Sequence, residues 1–187
     1  MYSQIFDHIS QIVPLPEHLK NIIGQHITRV TYPRKTILLK EGEVHQNLYF
    51  IESGILRTYV VKDDEDITTL FFAEKDFLVS SFRFINQPSD EYIEVLEEAT
   101  VLILNYDDVL KIYQTYPEAN YLGRTLIEHA YYKTYHRLVS MLKFSARERY
   151  EIMMKTQPGL FQRIPLAYIA SYLGVKKESL SRIRKKI

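Results

Sequence analysis

Between Thr28 and Leu104 the chain is a succession of short runs rich in β-branched and aromatic residues. These are "RVTYP", "TILLK", "NLYFI", "ILRTYVV", "ITTLFF", "YIEVL" and "TVLIL". The breaks between them, "KEGE", "ESG", "KDDED" and "NQPSD", supply the Gly, Asp, Asn and Pro that reverse a chain. So many short strands at such close spacing constrain this region to a β-sandwich or roll. The acidic run Asp63 to Asp66 is expected to be a solvated hairpin turn.

Helical periodicity flanks the strands. Before them, "SQIFDHISQIV" repeats apolar residues at Ile5, Phe6, Ile9, Ile12 and Val13, and "PLPEHLKNIIGQHI" places Pro16 near a second start. After them, Asn105 is suited to cap a helix whose first turn holds Asp107 and Asp108. Beyond Pro117 runs the longest helical stretch, "EANYLGRTLIEHAYYKTYHRLVSMLKF". Leu122, Leu126, Ala130, Leu138 and Leu142 or Met141 form one stripe, while Tyr121, Ile127, Tyr131, Tyr135 and Val139 occupy neighbouring faces. A helix this apolar around its circumference needs a partner besides its own core. Ser145 to Glu148, "SARE", is a capping box that starts another helix, and Pro165 opens a later one. The expected class is therefore α+β, with a jelly-roll-like β-roll and its flanking helices over residues 1–116. A dimerisation helix over 117–144 and a basic helical unit over 145–187 complete the expected organisation.

A net charge of +1 conceals a strong segregation. Residues 1–62 hold seven basic and five acidic side chains, residues 63–118 three and fourteen, and residues 119–187 fourteen and four. The balances are thus +2, −11 and +10, and the basic excess points to a polyanionic partner for the C-terminal third. Cysteine is absent, which excludes disulfides and Cys-held metals. The N-terminus lacks a signal-peptide pattern and no apolar run has membrane-spanning length, so a cytoplasmic location without membrane contact is expected.

The last residues concentrate the charge. Ile169 to Ile187 contains six Lys or Arg and one acid. Within "LAYIASYLGVKKESLSRIRKK", Ala170 lies four residues before Gly174, and Ile169, Leu173, Val175, Leu180 and Ile183 take apolar places. That is the spacing of a helix-turn-helix: a small residue permits close approach, Gly permits the sharp turn, and the apolar set locks the helices. The same packing serves any helical hairpin. The cationic outer face favours the DNA-binding form, because like charges crowded on a short helix repel one another without a polyanion.

These residues resemble the Crp/Fnr superfamily of bacterial transcription regulators. "EGEVHQNLYFIESGILRTYV" resembles that family's cyclic-nucleotide-binding-like β-roll, Leu122 to Phe144 its dimerisation helix, and "IASYLGVKKESLSRIRKK" its DNA-binding helices. The resemblance implies a homodimer on double-stranded DNA, with RNA polymerase as a possible further partner. It places base readers at Lys177, Glu178 and Arg182. The wider DNA-binding set expected is Lys176, Ser179, Ser181, Arg184, Lys185 and Lys186, where the cations meet phosphate.

Two departures from the family pattern follow. Cyclic-nucleotide members carry Gly-Glu for the ribose and Arg-Ser/Thr for the phosphate, where this chain reads "EKDFLVSSFRFINQPSDEYIEVLEE". Asp90 and Glu91 stand near the phosphate-binding position, and an acid repels a phosphate. A cyclic-nucleotide effector is accordingly disfavoured and no cofactor is expected. The alternative, a regulator that responds to a cyclic nucleotide or another small anion, would draw on Arg83, Tyr132 and Lys133 beside Asp90 and Glu91. The second departure is that the sequence ends eleven residues after Lys176 (187 − 176), so no wing is evident behind the recognition helix.

No enzymatic motif competes with this reading. Phosphate loops and nucleophile elbows are absent. His129 and His136 lie seven residues apart on one helix face, roughly 10.5 Å along the axis, too far to share a metal. A small β-roll metalloenzyme is the less favoured alternative.

Overall fold

In a pleated strand successive side chains face opposite ways, so each half-buried strand contributes every second residue to a core. The computed structural model describes residues 2–79 and 86–185. Among them eight strands form: β1 (Ile27–Tyr32), β2 (Ile37–Leu39), β3 (Asn47–Ser53), β4 (Leu56–Lys62), β5 (Glu65–Phe72), β6 (Phe77–Leu78), β7 (Tyr92–Val95) and β8 (Ala99–Asn105). They assemble into two four-stranded antiparallel sheets, ordered β1-β8-β3-β6 and β2-β7-β4-β5. Ile51, Leu56, Val95, Ala99 and Val101, all fully buried, fill the space between the sheets.

Each of the seven expected runs is a strand. The exception to sequence expectation is β6, whose two residues are too few to show a period. The acidic run is the exposed turn of the β4/β5 hairpin, as expected. Asp63 and Asp64 reverse the chain, both with positive φ, and Glu65 and Asp66 already belong to β5. Asp66 stays exposed while its carboxylate pairs with the buried Arg57. Gly54 (φ +95°) reverses the chain just before β4, where a Cβ would lie 2.6 Å from Ala99 Cα. Neither the turn nor the close approach admits a side chain there.

Helices α1 (Ser3–Ile12) and α2 (Glu17–His26) cover the outer face of the β3/β8 sheet, joining Phe50 and Leu102 in a second core. Helix α3 (Tyr106–Thr115) begins at Asn105, whose side chain accepts a hydrogen bond from Asp107 N–H at 2.9 Å. The long helix α4 (Glu118–Lys143) buries Ala119, Leu122 and Gly123 against that core, with Leu126 packed at its edge. The remainder of α4 leaves its large residues in solvent: Tyr131 is 68% exposed, Leu138 57% and Leu142 80%.

The capping box forms as the sequence requires, with Ser145 and Glu148 each bonding the other's backbone N–H at the head of α5 (Ala146–Thr156). Short helices α6 (Leu160–Arg163), α7 (Leu166–Tyr172) and α8 (Lys177–Arg184) follow. Their core is not private to residues 145–187. Tyr150, Met153, Ile164, Ile169 and Leu180 pack together with Ile55, Phe71 and Leu96 of the roll. The C-terminal helices are thus docked on the β-roll through a shared apolar cluster. No helix among the described residues is long and apolar enough to cross a membrane.

Candidate functional site

Helices α7 and α8 meet through Ile169, Ala170, Leu173 and Leu180, each no more than 1% exposed, with Val175 and Ile183 at the margin. The turn between them is closed by Gly174 N–H to Ser171 O (2.9 Å) and Val175 N–H to Ala170 O (3.0 Å). Gly174 has φ +66°, a left-handed conformation that most side chains resist. Met141, from the end of α4, closes over this turn, and Arg149 bonds the Leu173 carbonyl from α5.

This packing fixes which face of α8 meets solvent. Lys176, Lys177, Glu178, Arg182, Arg184 and Lys185 are exposed, whereas Ser179 and Ser181 are half-buried at the flank. Arg182 donates to Ser179 Oγ at 3.2 Å. Lys186 lies outside the described residues. Within α8 the acidic Glu178 sits in the first turn and Arg182 and Arg184 in the last, an arrangement that also suits the helix dipole.

A second feature lies between the roll and α4. A cavity of about 720 Å³ is walled by Val60, Leu70, Phe72 and Leu78 on one side and by Ile127 and Leu138 on the other. Asp90 and Glu91 both line it. Burial pushes the Glu91 carboxyl above its ordinary pKa, although it accepts a hydrogen bond from Thr69 Oγ1 at 2.6 Å. Two residues expected here from the sequence are elsewhere. Tyr132 projects into solvent and packs on the His136 ring at 4.0 Å. Lys133 is committed to Asp76 Oδ1 (2.9 Å) and the Phe71 carbonyl (3.3 Å). Helical geometry explains both: Tyr131, Thr134, Arg137 and Leu138 share the cavity-facing side of α4, and Tyr132 and Lys133 lie on other sides. Arg83 lies outside the described residues.

The cation that does line the cavity, Arg137, was not anticipated. It stands three residues after Thr134, the helical interval that a search for face-sharing neighbours would have tested. Its guanidinium packs over the Tyr172 ring at 4.0 Å and donates to the Tyr172 carbonyl. Burial lowers its pKa from the usual arginine value. Among the described residues no carboxylate forms an ion pair with it.

Between cavity and helix pair stands a polar junction. Strand β5 ends the sheet, so one edge of its backbone lacks a strand partner. Ser171 of α7 fills part of that edge, its hydroxyl accepting from Thr68 N–H and donating to Asp66 O, both at 2.9 Å. Arg57, 1% exposed, pairs with Asp66 (2.5 Å) and Glu94 (2.6 Å). Its guanidinium lies between the rings of Tyr59 (4.2 Å) and Tyr168 of α7 (3.7 Å). On the surface Arg163 clasps Glu74 at 2.6 Å and also bonds Glu97. The Arg163 hydrogen bond holds the Glu74 carboxyl down to about 2. Among the described residues no group of three or more His, Asp or Glu could hold a metal ion.

Comparison with known proteins agrees with this geometry. A family model for the cyclic nucleotide-binding domain matches residues 29–116. No curated protein matches the chain in sequence. Among solved structures, the c-di-GMP responsive global regulator CLP of Xanthomonas campestris superimposes with a TM-score of 0.70 at 17% identity, covering 89% of this chain and 88% of that one. FixK2 from Bradyrhizobium japonicum gives 0.71 at 16% identity, with 86% and 83% covered. A protein from Eubacterium rectale described as a transcriptional regulator of the Crp/Fnr family gives 0.69 at 19%, with 92% and 83% covered. Residues 29–116 are thus similar to the cyclic nucleotide-binding domain, and the chain shares the fold of these solved structures, one of them described as a Crp/Fnr-family regulator.

Proposed function

We propose that the protein is a sequence-specific DNA-binding transcription regulator of Crp/Fnr type. Residues 1–116 act as the sensor, 117–144 as the dimerisation helix and 145–187 as a helix-turn-helix unit. One observation carries this reading: α8 is locked by buried apolar residues on its inner side and presents Lys177, Glu178 and Arg182 outward. A recognition helix points its N-terminal residues at base edges in the major groove, and flanking cations meet phosphates. Lys177 and Arg182 can donate to guanine O6 and N7, and Glu178 can accept from cytosine N4. Lys176, Arg184, Lys185 and Lys186 serve the backbone, with Ser179 and Ser181 beside them. A homodimer presents two such helices, and the cytoplasm is where such a protein meets DNA and RNA polymerase.

The cavity favours an effector other than a cyclic nucleotide. Asp90 and Glu91 on its wall oppose a phosphate, and Lys133 is held away by Asp76.

Selection of bound fragments from random DNA, followed by a panel of base-substituted sites, tests the reading. Arg182→Ala should cost about 1–3 kcal/mol on the selected site and relax preference at one base pair. Lys185→Ala should weaken binding to every sequence and make the salt dependence shallower. Equal, uniform losses for both variants would defeat the assignment of roles.

A further inference from the structure

The cavity between the roll and α4 has an unusual balance of chemistry. Its hydroxyls are largely engaged already. Thr58 and Thr69 bond each other at 2.6 Å, Thr69 donates to Glu91, Thr68 accepts from Arg57, and Thr134 donates to the Ala130 carbonyl. Ser89 is paired with the Glu91 backbone. Among the described residues, what this cavity offers a ligand is apolar surface from Val60, Leu70, Phe72 and Ile127, one cation, Arg137, and two acids, Asp90 and Glu91. A ribose or a base edge needs several unengaged donors and acceptors, and these walls supply few. Pockets of this size typically take small molecules, gripping an apolar body and fixing it with a few polar groups.

Arg137 supplies that polar group. A guanidinium remains charged in any protein setting, and a cation removed from water without an opposite charge is costly. Here its partners are a neutral carbonyl and a neutral ring. We propose that this cavity binds an apolar monocarboxylate, its hydrocarbon body against Leu70, Phe72 and Ile127 and its carboxylate on Arg137. The proposal rests on reading the roll as the sensor half of a regulator. It also supplies the connection to α7: a carboxylate on Arg137 competes with Tyr172, the last residue of that helix.

Glu91 sharpens the charge requirement. Its carboxyl lines the same cavity from the roll, and burial favours its neutral form. Among the described residues a ligand with a single negative charge meets one cation, the suppressed Glu91 and a solvent-exposed Asp90, whereas a phosphate diester would also have to place its sugar and base against satisfied hydroxyls.

Calorimetric titration of the full chain without DNA tests this, with decanoate, decan-1-ol and cyclic AMP as probes. Decanoate should bind saturably, one per chain, at least ten-fold tighter than the alcohol or the nucleotide. Arg137→Gln should remove the preference for acid over alcohol while leaving alcohol affinity within two-fold, and Arg137→Lys should retain part of it. Should Arg137→Gln fail to fold, the acid-against-alcohol comparison on the unaltered protein decides by itself. Equal affinity for decanoate and decan-1-ol, tighter binding of cyclic AMP, or no binding because a second copy fills the groove would each overturn the proposal. DNA affinity of the same preparation separates the two readings. Intact DNA binding without decanoate binding sinks only the ligand assignment, and decanoate binding without DNA affinity sinks only the regulator assignment.

Discussion

Glu74 and Arg163 illustrate how single side chains hold the C-terminal helices to the roll. The Glu74 carboxyl accepts from Arg163 and from the Gly54 N–H at 3.0 Å, and the Arg163 hydrogen bond is the main cause of its depressed pKa. A carboxylate whose folded pKa is depressed stabilises the fold above its unfolded pKa and loses that contribution as pH falls through the folded value. The window therefore runs from an ordinary carboxyl value of about 4.3 down to about 2. Glu74→Gln should melt below the parent protein at pH 7, and the gap should close as pH falls across that window. Both side chains are about a third exposed, so solvent screening keeps the gap modest and high salt narrows it further. Melting curves that differ equally at pH 7 and pH 2.5 would show that the ion pair is not the cause.

Among the elements, α4 has the clearest unfinished surface. Its first turns are consumed by the core, but Tyr131, Leu138 and Leu142 stand in water on the later turns. Apolar residues repeated along one helix are covered most simply by the same helix of a second chain. Light scattering should give a dimer at micromolar concentration, and Leu138→Glu with Leu142→Glu should give a folded monomer. Leu126 is a poorer test site than its place in the sequence stripe suggests, because it packs against the chain's own core. A monomeric parent protein would end the dimer reading. The strands, the caps at Asn105 and Ser145 and the Gly174 turn were legible because each has a local chemical cause: alternation, an oxygen acceptor or a positive φ. Arg57 was not legible, since an arginine inside "ILRTYVV" looks like an outward residue on an alternating strand. Its burial depends on Asp66, Glu94 and Tyr168, which lie far along the chain and meet only in three dimensions. The assignments of Tyr132 and Lys133 to the cavity failed for a related reason: without the orientation of α4 against the roll, no residue count says which side faces the sheet.

At the scale of the whole molecule, the shared core of Ile55, Phe71 and Leu96 with Ile169 and Leu180 makes β-roll and helix pair one cooperative body. Domains joined mainly through an exposed linker unfold separately, whereas a buried apolar junction couples them. Calorimetry of the parent protein should therefore show one transition. Tyr168→Ala with Ser171→Ala removes a ring from Arg57 and the hydroxyl that pairs with β5. This double variant should split the melt into two transitions, the earlier one from the C-terminal helices. Two transitions already present in the parent would mean that the junction does not couple the halves.

The buried arginine also bears on how such a chain can change over generations. Arg57 draws its partners from β5, β7 and α7: losing the arginine leaves two acids without their cation, whereas losing one acid still leaves a one-to-one pair. Change at Arg57 is therefore costly unless the acids change with it, while either acid alone has more freedom. Lineages descended from a common ancestor should consequently keep Arg57 wherever either acid is kept. Tyr168, which contributes a ring face and no charge, has a gentler path and is free to alternate with other aromatic residues.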